Sequence, residues 1–416
     1  MKGIKRAAAL FLALVMSFAL VSCGASDADM TVTQQSAQSA AKWVKKKVVG
    51  TNPGYGDEWA LIALTRGEYL DIFSRTVTTY QQKLDRFLAQ NSGELGVKGK
   101  TDAAGYPRVI LALTSVGKIA NHSSGGDMVM GISLQRLLDE SGIYGTINGL
   151  IAADCGGYEF HQGGDVDREG LLNAILSWQH EDGGFGWEGA QGDSDVDTTA
   201  MALQALSNYR DREEVAQAVE RALAYLEDQQ LDNGGYAPYG AESCESASQV
   251  VIALTELGVD PASFGKGDIL AFIMGFQNDD GSFSMEKGKE ANETTTVQAL
   301  LALVAYNRAA EGKTSLYDMS DVYGSSHNKL SPTAQLGTKI SMVFSGILIL
   351  SMIILFIRSR FILHKWRKEG VLDESGTRRL DDEELETQRM ADQLAALREE
   401  GEEDQEPQDE DSPEEK

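Results

Sequence analysis

The sequence predicts an all-α fold in which six helical hairpins close into a ring. A unit of roughly 50 residues recurs three times between residues 167 and 306, and such a period is typical of stacked supersecondary units. Its clearest mark is a turn, which occurs at Gln179–Phe185, Gln230–Tyr236 and Gln277–Phe283. Each turn lies between an amphipathic stretch and a stretch rich in alanine and leucine. Three similar pairs of stretches precede the repeats, and six pairs is the number that closes a ring of six inner and six outer helices.

The middle repeat shows why each unit is predicted to be a helical hairpin. Its first stretch carries apolar residues at helical spacing, namely Val215, Val219, Ala222, Leu223 and Leu226. Gly234 and Gly235 end that helix. Residues 246–254 are apolar or small on nearly every face, which indicates a buried helix. We interpret the repeated Asn/Asp-Gly turn as backbone chemistry, because glycine readily adopts positive φ and the ligand spacing of a calcium loop is absent.

The remaining helices follow in chain order. We predict an outer helix over 34–49 and an inner helix over 57–64, then a pair over 69–89 and 108–116. A third pair, over 128–138 and 147–154, has weaker boundaries. With the three repeats, the ring domain spans residues 31–310.

The N-terminus has the pattern of an export signal. Basic residues precede the apolar run 7–20, so residues 1–22 are predicted to be a signal peptide and residues 23–30 a tether. Cys23 follows small residues and resembles the lipidation site of bacterial lipoproteins; the alternative is an ordinary secretory signal. The two cysteines left, Cys155 and Cys244, define no disulfide framework.

The C-terminal quarter is predicted to attach the protein to a membrane. A polar linker over 311–339 leads to residues 340–357, which carry no charge and are long enough to cross a bilayer. The basic residues that follow predict a cytoplasmic C-terminus, with the ring outside a bacterial cell membrane. Residues 358–416 form a basic flank and an acidic tail, with 19 acidic and 5 basic residues from 370 onwards. Such a tail is expected to be largely disordered, although residues 380–397 could form a short helix, and a cytoplasmic partner is its predicted role. With a net charge of −26, we expect no nucleic-acid partner.

Three motifs resemble a known superfamily. The turn at Gln179, followed by Trp187, resembles the QW repeat of squalene–hopene cyclases. Asp195–Ala200 resembles the Asp-x-Asp-Asp-Thr-Ala motif of class II terpene cyclases, and Arg108–Thr114 resembles repeats of exported bacterial toroid proteins. Together they resemble the α/α toroid superfamily, which includes these cyclases, protein prenyltransferases, complement thioester domains and cobalamin carriers. The resemblance covers residues 30–310 and implies a six-hairpin (α/α)6 toroid, whereas function varies among proteins with this fold.

Aligning the six inner helices on their terminal Ala-Leu predicts which side chains line the hollow. Five positions before the end lie Trp59, Arg108, Asn148, Met201, Gln249 and Gln298. Nine before the end, and on the same helix face, lie Tyr55, Ala104, Tyr144, Asp197, Glu245 and Thr294. The candidate ligand-binding residues are Asp195, Asp197, Thr198, Glu245, Gln249, Glu293, Thr294, Gln298, Arg108 and Asn148. The alternatives are a wet funnel with purely structural hydrogen bonds and, for Asp195, a helix cap. Trp187 and Tyr236 are candidates for the rim, although packing of the turns explains them equally well.

Four functions follow as hypotheses. We expect binding of a small molecule without catalysis, and the likeness to cobalamin carriers makes a corrinoid a candidate, although no β-rich segment follows residue 310. Binding of a surface partner is the second hypothesis.

The third is a class II terpene cyclase, in which the motif makes Asp197 the proton donor and Asp195 its neighbour. Against it, Thr198 replaces an aspartate of that motif, and few aromatic residues face the hollow. The fourth, zinc prenyl transfer, lacks the Cys and His ligands, so no metal or cofactor is expected. Cys155 likewise lacks the Glu-Gln needed for a thioester.

Overall fold

Twelve helices form a closed ring in the toroid unit, which spans residues 1–329. The computed structural model describes residues 30–49, 57–97, 100–122, 127–160, 164–322, 351–370 and 382–402. The predicted signal peptide, Cys23 and Tyr55 lie outside these ranges. The signal peptide and the lipidation of Cys23 therefore stay predictions.

Outer and inner helices alternate along the chain. The outer helices are α1 (Val32–Val44), α3 (Arg75–Gln90), α5 (Met128–Ile132), α7 (Arg168–Ser177), α9 (Glu213–Gln229) and α11 (Ile269–Met274). The inner helices are α2 (Glu58–Arg66), α4 (Gly105–Ser115), α6 (Arg136–Cys155), α8 (Val196–Leu206), α10 (Cys244–Glu256) and α12 (Glu293–Ala310). Helix α6 is kinked at Gly142 (φ 54°, ψ −146°), so residues 136–141 form a short helix of their own and only the remainder is an inner helix. A short antiparallel pair, β1 (Gly96–Val97) and β2 (Lys100–Thr101), links α3 to α4.

The ring closes through the inner helices. Each packs against the next in chain order, and α12 packs against both α2 and the first outer helix α1. The inner helices are buried on most faces, whereas α9 buries a single stripe that includes Val215, Val219 and Leu226. This division confirms the predicted all-α toroid and the roles assigned to the two stretches of each repeat.

The repeated turns bring glycine backbone against the neighbouring outer helix. Gly183, Gly234 and Gly281 have φ values of 89°, 85° and 90°. A Cβ atom there would lie 2.6 Å from the Arg221 carbonyl oxygen in α9, 2.6 Å from the Asp268 carbonyl carbon before α11, and 2.5 Å from the Ser39 carbonyl oxygen in α1. The third contact joins the last repeat to the first helix. Both positive φ and lack of space therefore demand glycine at this point of every repeat.

A segment after α12, which we call the strap (residues 314–322), packs against the C-terminal ends of the inner helices. Arg66 Nη1 donates to Asp321 at 2.6 Å, and Arg66 Nε donates to the Leu316 carbonyl at 2.9 Å. Met319 N donates to the Cys155 carbonyl at 3.1 Å. Leu316 and Met319 are fully buried. These residues, which the sequence assigns to a polar linker over 311–339, belong instead to the toroid.

The prediction of a transmembrane helix over 340–357 is wrong. In the described part of the chain, no helix is long and apolar enough to cross a membrane. Residues 340–350 lie outside that part, and residues 351–368 form a helix with seven uncharged positions before Arg358. Arg358 and Arg360 lie in the same helix as the apolar residues 351–357.

The second unit, residues 330–416, also contains helix α13 (Asp382–Glu402). A disordered acidic tail is therefore incorrect for this stretch. Its Glu, Gln, Arg, Ala and Leu residues have high helix propensity, which explains a helix despite the acidic charge. A partner for the tail stays a prediction.

The three turns generate a test of ring closure. Replacing Gly234 by alanine should lower the free energy of unfolding by about 2–4 kcal/mol, because the new methyl group meets backbone that cannot swing away. Gly240→Ala is the matched control: its φ is 79°, but a Cβ there meets no described atom within 4 Å. It should cost only the strain of positive φ, about 1 kcal/mol. Urea unfolding measures both, and equal losses would show that close approach is unimportant.

Candidate functional site

A cavity of about 510 Å³ lies at the N-terminal ends of the inner helices. We call it the central cavity. All six residues of the first predicted column line it: Trp59, Arg108, Asn148, Met201, Gln249 and Gln298. Each of the six inner helices thus contributes a side chain, as the alignment of the helix ends predicts.

The second column is only partly in the cavity. Ala104, Tyr144 and Thr294 line it, together with Glu293, whereas Asp197 and Glu245 are not part of its described lining. Glu293 and Thr294 are exposed at the start of α12. The central cavity therefore has a mainly apolar wall in which most polar groups are neutral, with carboxylates at its edge.

Three glutamines on adjacent inner helices form a hydrogen-bonded series, which we call the glutamine ladder. Gln204 Nε2 donates to Gln249 Oε1 at 3.0 Å and to the Gln249 carbonyl at 3.1 Å. Gln249 Nε2 in turn donates to Gln298 Oε1 at 3.5 Å. Gln204, which sequence reasoning missed, lies one helical turn deeper than Met201. Its signal was visible, since it is the one strongly polar side chain in the run Ala200–Leu206.

Other polar groups on the wall are held by neighbours. Arg108 Nη2 forms a salt bridge with Asp102 at 3.3 Å. Asn148 Nδ2 donates to the Tyr144 carbonyl one turn earlier at 2.9 Å. These bonds fix the side chains before any ligand arrives, which lowers the entropic cost of binding.

Asp195 and Thr198 belong to a helix cap. Asp195 Oδ1 accepts from Thr198 N at 2.7 Å, and Asp195 Oδ2 accepts from the Thr198 hydroxyl at 2.7 Å. The Thr198 hydroxyl also lies 3.1 Å from the Tyr144 hydroxyl, and Thr198 is fully buried. The geometry is that of an N-cap on α8, which was the alternative reading of Asp195.

Asp197 lies in an acidic corner between α8 and α10. Burial raises the pKa of its carboxyl group, and the charges of Asp195 and Glu245 raise it further, while a hydrogen bond with Ser246 opposes them. Asp197 Oδ1 is buried and has no hydrogen-bond partner among the described residues. Glu245 accepts a hydrogen bond from the Thr295 hydroxyl. The protonated form of Asp197 is therefore more favoured than the protonated form of an exposed aspartate.

The two rim candidates lie apart from the cavity. Trp187 is 59% exposed and Tyr236 is fully buried, and neither belongs to the described lining of the central cavity. Tyr236 is a core residue, and burial raises the pKa of its phenol. Packing of the turn explains Tyr236.

A second cavity, of about 470 Å³, lies at the opposite ends of the inner helices, beneath the strap. We call it the lower cavity. Asp154 accepts from Arg168 Nε at 2.8 Å and from the Tyr209 hydroxyl at 2.9 Å. Glu256 accepts from the Ser315 hydroxyl at 2.6 Å and from Tyr317 N at 3.1 Å. Burial raises the pKa of Glu256 to about 7.

The described cysteines have the character of core residues. Cys155 and Cys244 are free and buried. Burial raises the pKa of the Cys155 thiol to about 12 and also raises that of Cys244, which opposes formation of a reactive thiolate. In the described ranges, no group of three or more His, Cys, Asp or Glu side chains is placed to hold a metal ion.

Comparison with known proteins identifies the class of fold. Residues 141–259 and 250–329 match the family model of the prenyltransferase alpha-alpha toroid domain. The matched residues make up less than half of the chain, and together with the closed ring of hairpins they support the α/α toroid superfamily that the motifs resemble. A search of curated proteins found no match.

Several solved structures have a distantly similar course of helices. Protein geranylgeranyltransferase-I from Candida albicans, complexed with GGPP, is 12% identical over 68% of this chain and 94% of its own, with a TM-score of 0.45. The type II terpene cyclase MstE from Scytonema is 14% identical over 67% of this chain and 98% of its own (TM-score 0.46). Unsaturated glucuronyl hydrolase from Bacillus sp. GL1 is 12% identical over 68% of this chain and 97% of its own (TM-score 0.43). Similarity this distant supports no inference about activity or ligand.

Glu256 generates a prediction about pH. The unfolded chain releases this proton near the usual glutamate pKa, whereas the folded protein holds it until about pH 7. The stability that the group contributes is thus fully present below the unfolded pKa and is lost as pH rises through about 7. Between pH 5 and 8 we expect the free energy of unfolding to fall in the wild type by up to about 3 kcal/mol more than in Glu256→Gln. Urea unfolding at a series of pH values tests this, and parallel profiles for the two proteins would contradict it.

Proposed function

We propose that the toroid binds a small polar molecule in the central cavity and does not transform it chemically. The observation that carries the proposal is the glutamine ladder along the wall of a 510 Å³ cavity. Binding sites for small molecules typically have volumes of about 300–1,000 Å³ and contain a few placed polar groups on an otherwise apolar wall. Trp59, Met201 and Leu301 supply apolar surface here.

The glutamine ladder has hydrogen-bond donors and acceptors that its own three bonds leave unused. Each glutamine amide carries two donor hydrogens and an accepting oxygen, and three amides make only three hydrogen bonds to one another and to the backbone of Gln249. A ligand rich in amide, carbonyl or hydroxyl groups would use the remaining donors and acceptors. Arg108 is paired with Asp102, so a strongly anionic ligand would have to compete for it.

A corrinoid fits this chemistry in part. Its macrocycle is surrounded by amide side chains that complement glutamine and asparagine. The macrocycle is larger than the central cavity, so we expect only an edge with its amide arms to enter. Support for this ligand rests on the amide-lined wall and on the family resemblance.

Calorimetric titration of the full-length chain with cobinamide and cobalamin tests the proposal. Gln249→Ala should weaken a saturable interaction by about 1–3 kcal/mol, or roughly 5- to 150-fold, because it removes the middle of the ladder. Gln217→Ala is the control, since Gln217 is an exposed glutamine on the outer helix α9; it should leave the affinity unchanged. Equal affinity of the two variants would place the ligand outside the central cavity, and absence of binding would exclude corrinoids.

One observation favours a second candidate, a cyclase that uses Asp197 as proton donor. A raised carboxyl pKa is what a general acid needs, and Asp197 has one. Against this candidate, Asp197 lies outside the described lining of the central cavity. A carbocation also needs aromatic faces, and the described lining offers only Trp59, Tyr144 and Tyr317.

Incubation with squalene separates the two candidates. A cyclase would form products that disappear in Asp197→Asn and persist in Asp193→Asn, whose carboxylate is exposed four residues earlier. We expect no product from the wild type or from either variant, because Asp197 lies outside the described lining of the central cavity. Mass spectrometry of the extracted lipids provides the measurement, and wild-type product lost only in Asp197→Asn would replace our proposal with the cyclase.

A further inference from the structure

The central and lower cavities meet at two side chains. Gln204 and Tyr317 line both of them. The same inner helices supply the walls on either side: α6 contributes Asn148 to the central cavity and Cys155 to the lower cavity. The two spaces therefore lie one behind the other along the hollow of the ring, with Gln204 and Tyr317 between them.

Tyr317 is brought to this position by the strap. Its backbone N donates to buried Glu256, and the preceding Leu316 carbonyl accepts from Arg66 Nε. On the other side, Met319 N donates to the Cys155 carbonyl. The phenol is only 8% exposed. With contacts to α2, α6 and α10, the strap holds the ring of Tyr317 across the hollow.

Gln204 lies with Tyr317 between the central cavity and the lower cavity. It is 4% exposed, and its amide donates two hydrogen bonds to Gln249. Gln204 is thus both the deepest residue of the glutamine ladder and one of the two residues that separate the cavities. A ligand that used the ladder would reach Gln204 and Tyr317 last.

We infer that Tyr317 and Gln204 form a partition across a single channel through the toroid, so that the strap determines how deep a ligand can enter. Tyr317 is then the floor of the central cavity and selects ligands by length. The statement about ligands rests on the proposed function. The statement about the partition rests on the two cavities and the strap alone.

A cross-link through the channel tests the partition without any ligand. Residues 148 and 155 are seven positions apart on α6, so they lie on nearly the same face, about 10 Å apart along the axis. Asn148→Cys places a thiol in the central cavity, above the native Cys155 in the lower cavity. Cys23→Ser and Cys244→Ala remove the other cysteines of the full-length chain. A bis-methanethiosulfonate reagent with a spacer of this length then reports whether the path between the thiols is open.

The linked product should be absent while Tyr317 is present and should become the main product in Tyr317→Ala, because a linker joins two sites only where it can span them. Tyr317→Phe keeps the ring and should behave like the wild type. Asn208→Ala widens the lower cavity at an exposed residue and should also leave the path closed. Intact mass spectrometry detects the product, and Tyr317→Leu serves if the alanine variant loses its helical circular dichroism.

Two results would overturn the partition. One is abundant linking with Tyr317 in place. The other is no linking in folded Tyr317→Ala or Tyr317→Leu although a monofunctional methanethiosulfonate modifies both thiols of the same folded variant, at an alkaline pH that offsets the raised pKa of the Cys155 thiol. Oligoethylene glycols of increasing length then test the ligand consequence, since the length that binds best should be greater in Tyr317→Ala than in the wild type. If no glycol binds either protein, that consequence fails with the proposed function for this class of ligand, and the cross-link still decides the partition.

Discussion

The toroid depends on two buried arginines at the place where its ring closes. Arg66 ends the first inner helix and Arg308 lies near the end of the last, and these helices are neighbours only in the closed ring. Arg308 Nη1 donates to the Arg66 carbonyl at 2.9 Å, and both guanidinium groups pair with Asp321 of the strap, at 2.6 and 2.8 Å. Burial and the charge of Arg308 lower the pKa of Arg66, and Asp321 opposes this. Two like charges can be buried side by side because one carboxylate and several carbonyl oxygens satisfy them.

That closure also fixes the strap and, through it, the floor of the central cavity. The guanidinium of Arg66 donates to strap atoms from Thr314 to Asp321. Residues 250 positions apart in sequence are thereby joined at one point. The same contacts therefore determine both the stability of the ring and the depth of the central cavity. A substitution that loosened the strap would change both.

How far the sequence predicts the site depends on whether a feature is periodic. The column from Trp59 to Gln298 could be placed because each inner helix ends in the same pattern, and helical periodicity carries that register back to position five. Asp197 and Glu245 fall outside the lining although they share that face, because one further turn brings α8 and α10 to the capped rim. Gln204 and Tyr317 could not be found this way: the first lies a turn deeper than either column, and the second reaches the hollow from a segment with no repeat.

The two errors at the C-terminal end have a related cause. Composition alone favours a membrane helix and a disordered tail, but it does not show how far a helix continues past an apolar run. The helix over 351–368 includes the basic residues that follow that run. Similarly, charge predicted disorder at 382–402, whereas the helix propensity of the same Glu, Gln and Ala residues prevailed.

The two ends of the ring differ in how their backbone groups are satisfied, and this difference favours the N-terminal end of the inner helices as the entrance for the ligand that we propose. The last carbonyl groups of a helix have no partner within it. Here arginines supply donors at the C-terminal ends: Arg168 donates to the Ala153 carbonyl, Arg210 to the Ser207 and Leu257 carbonyls, and Arg308 to that of Arg66. The strap covers the same end. Unused hydrogen-bond donors and acceptors are found instead on the glutamine ladder, which lines the cavity at the N-terminal ends of the inner helices. A polar ligand that entered there would gain bonds without displacing any that hold the ring together.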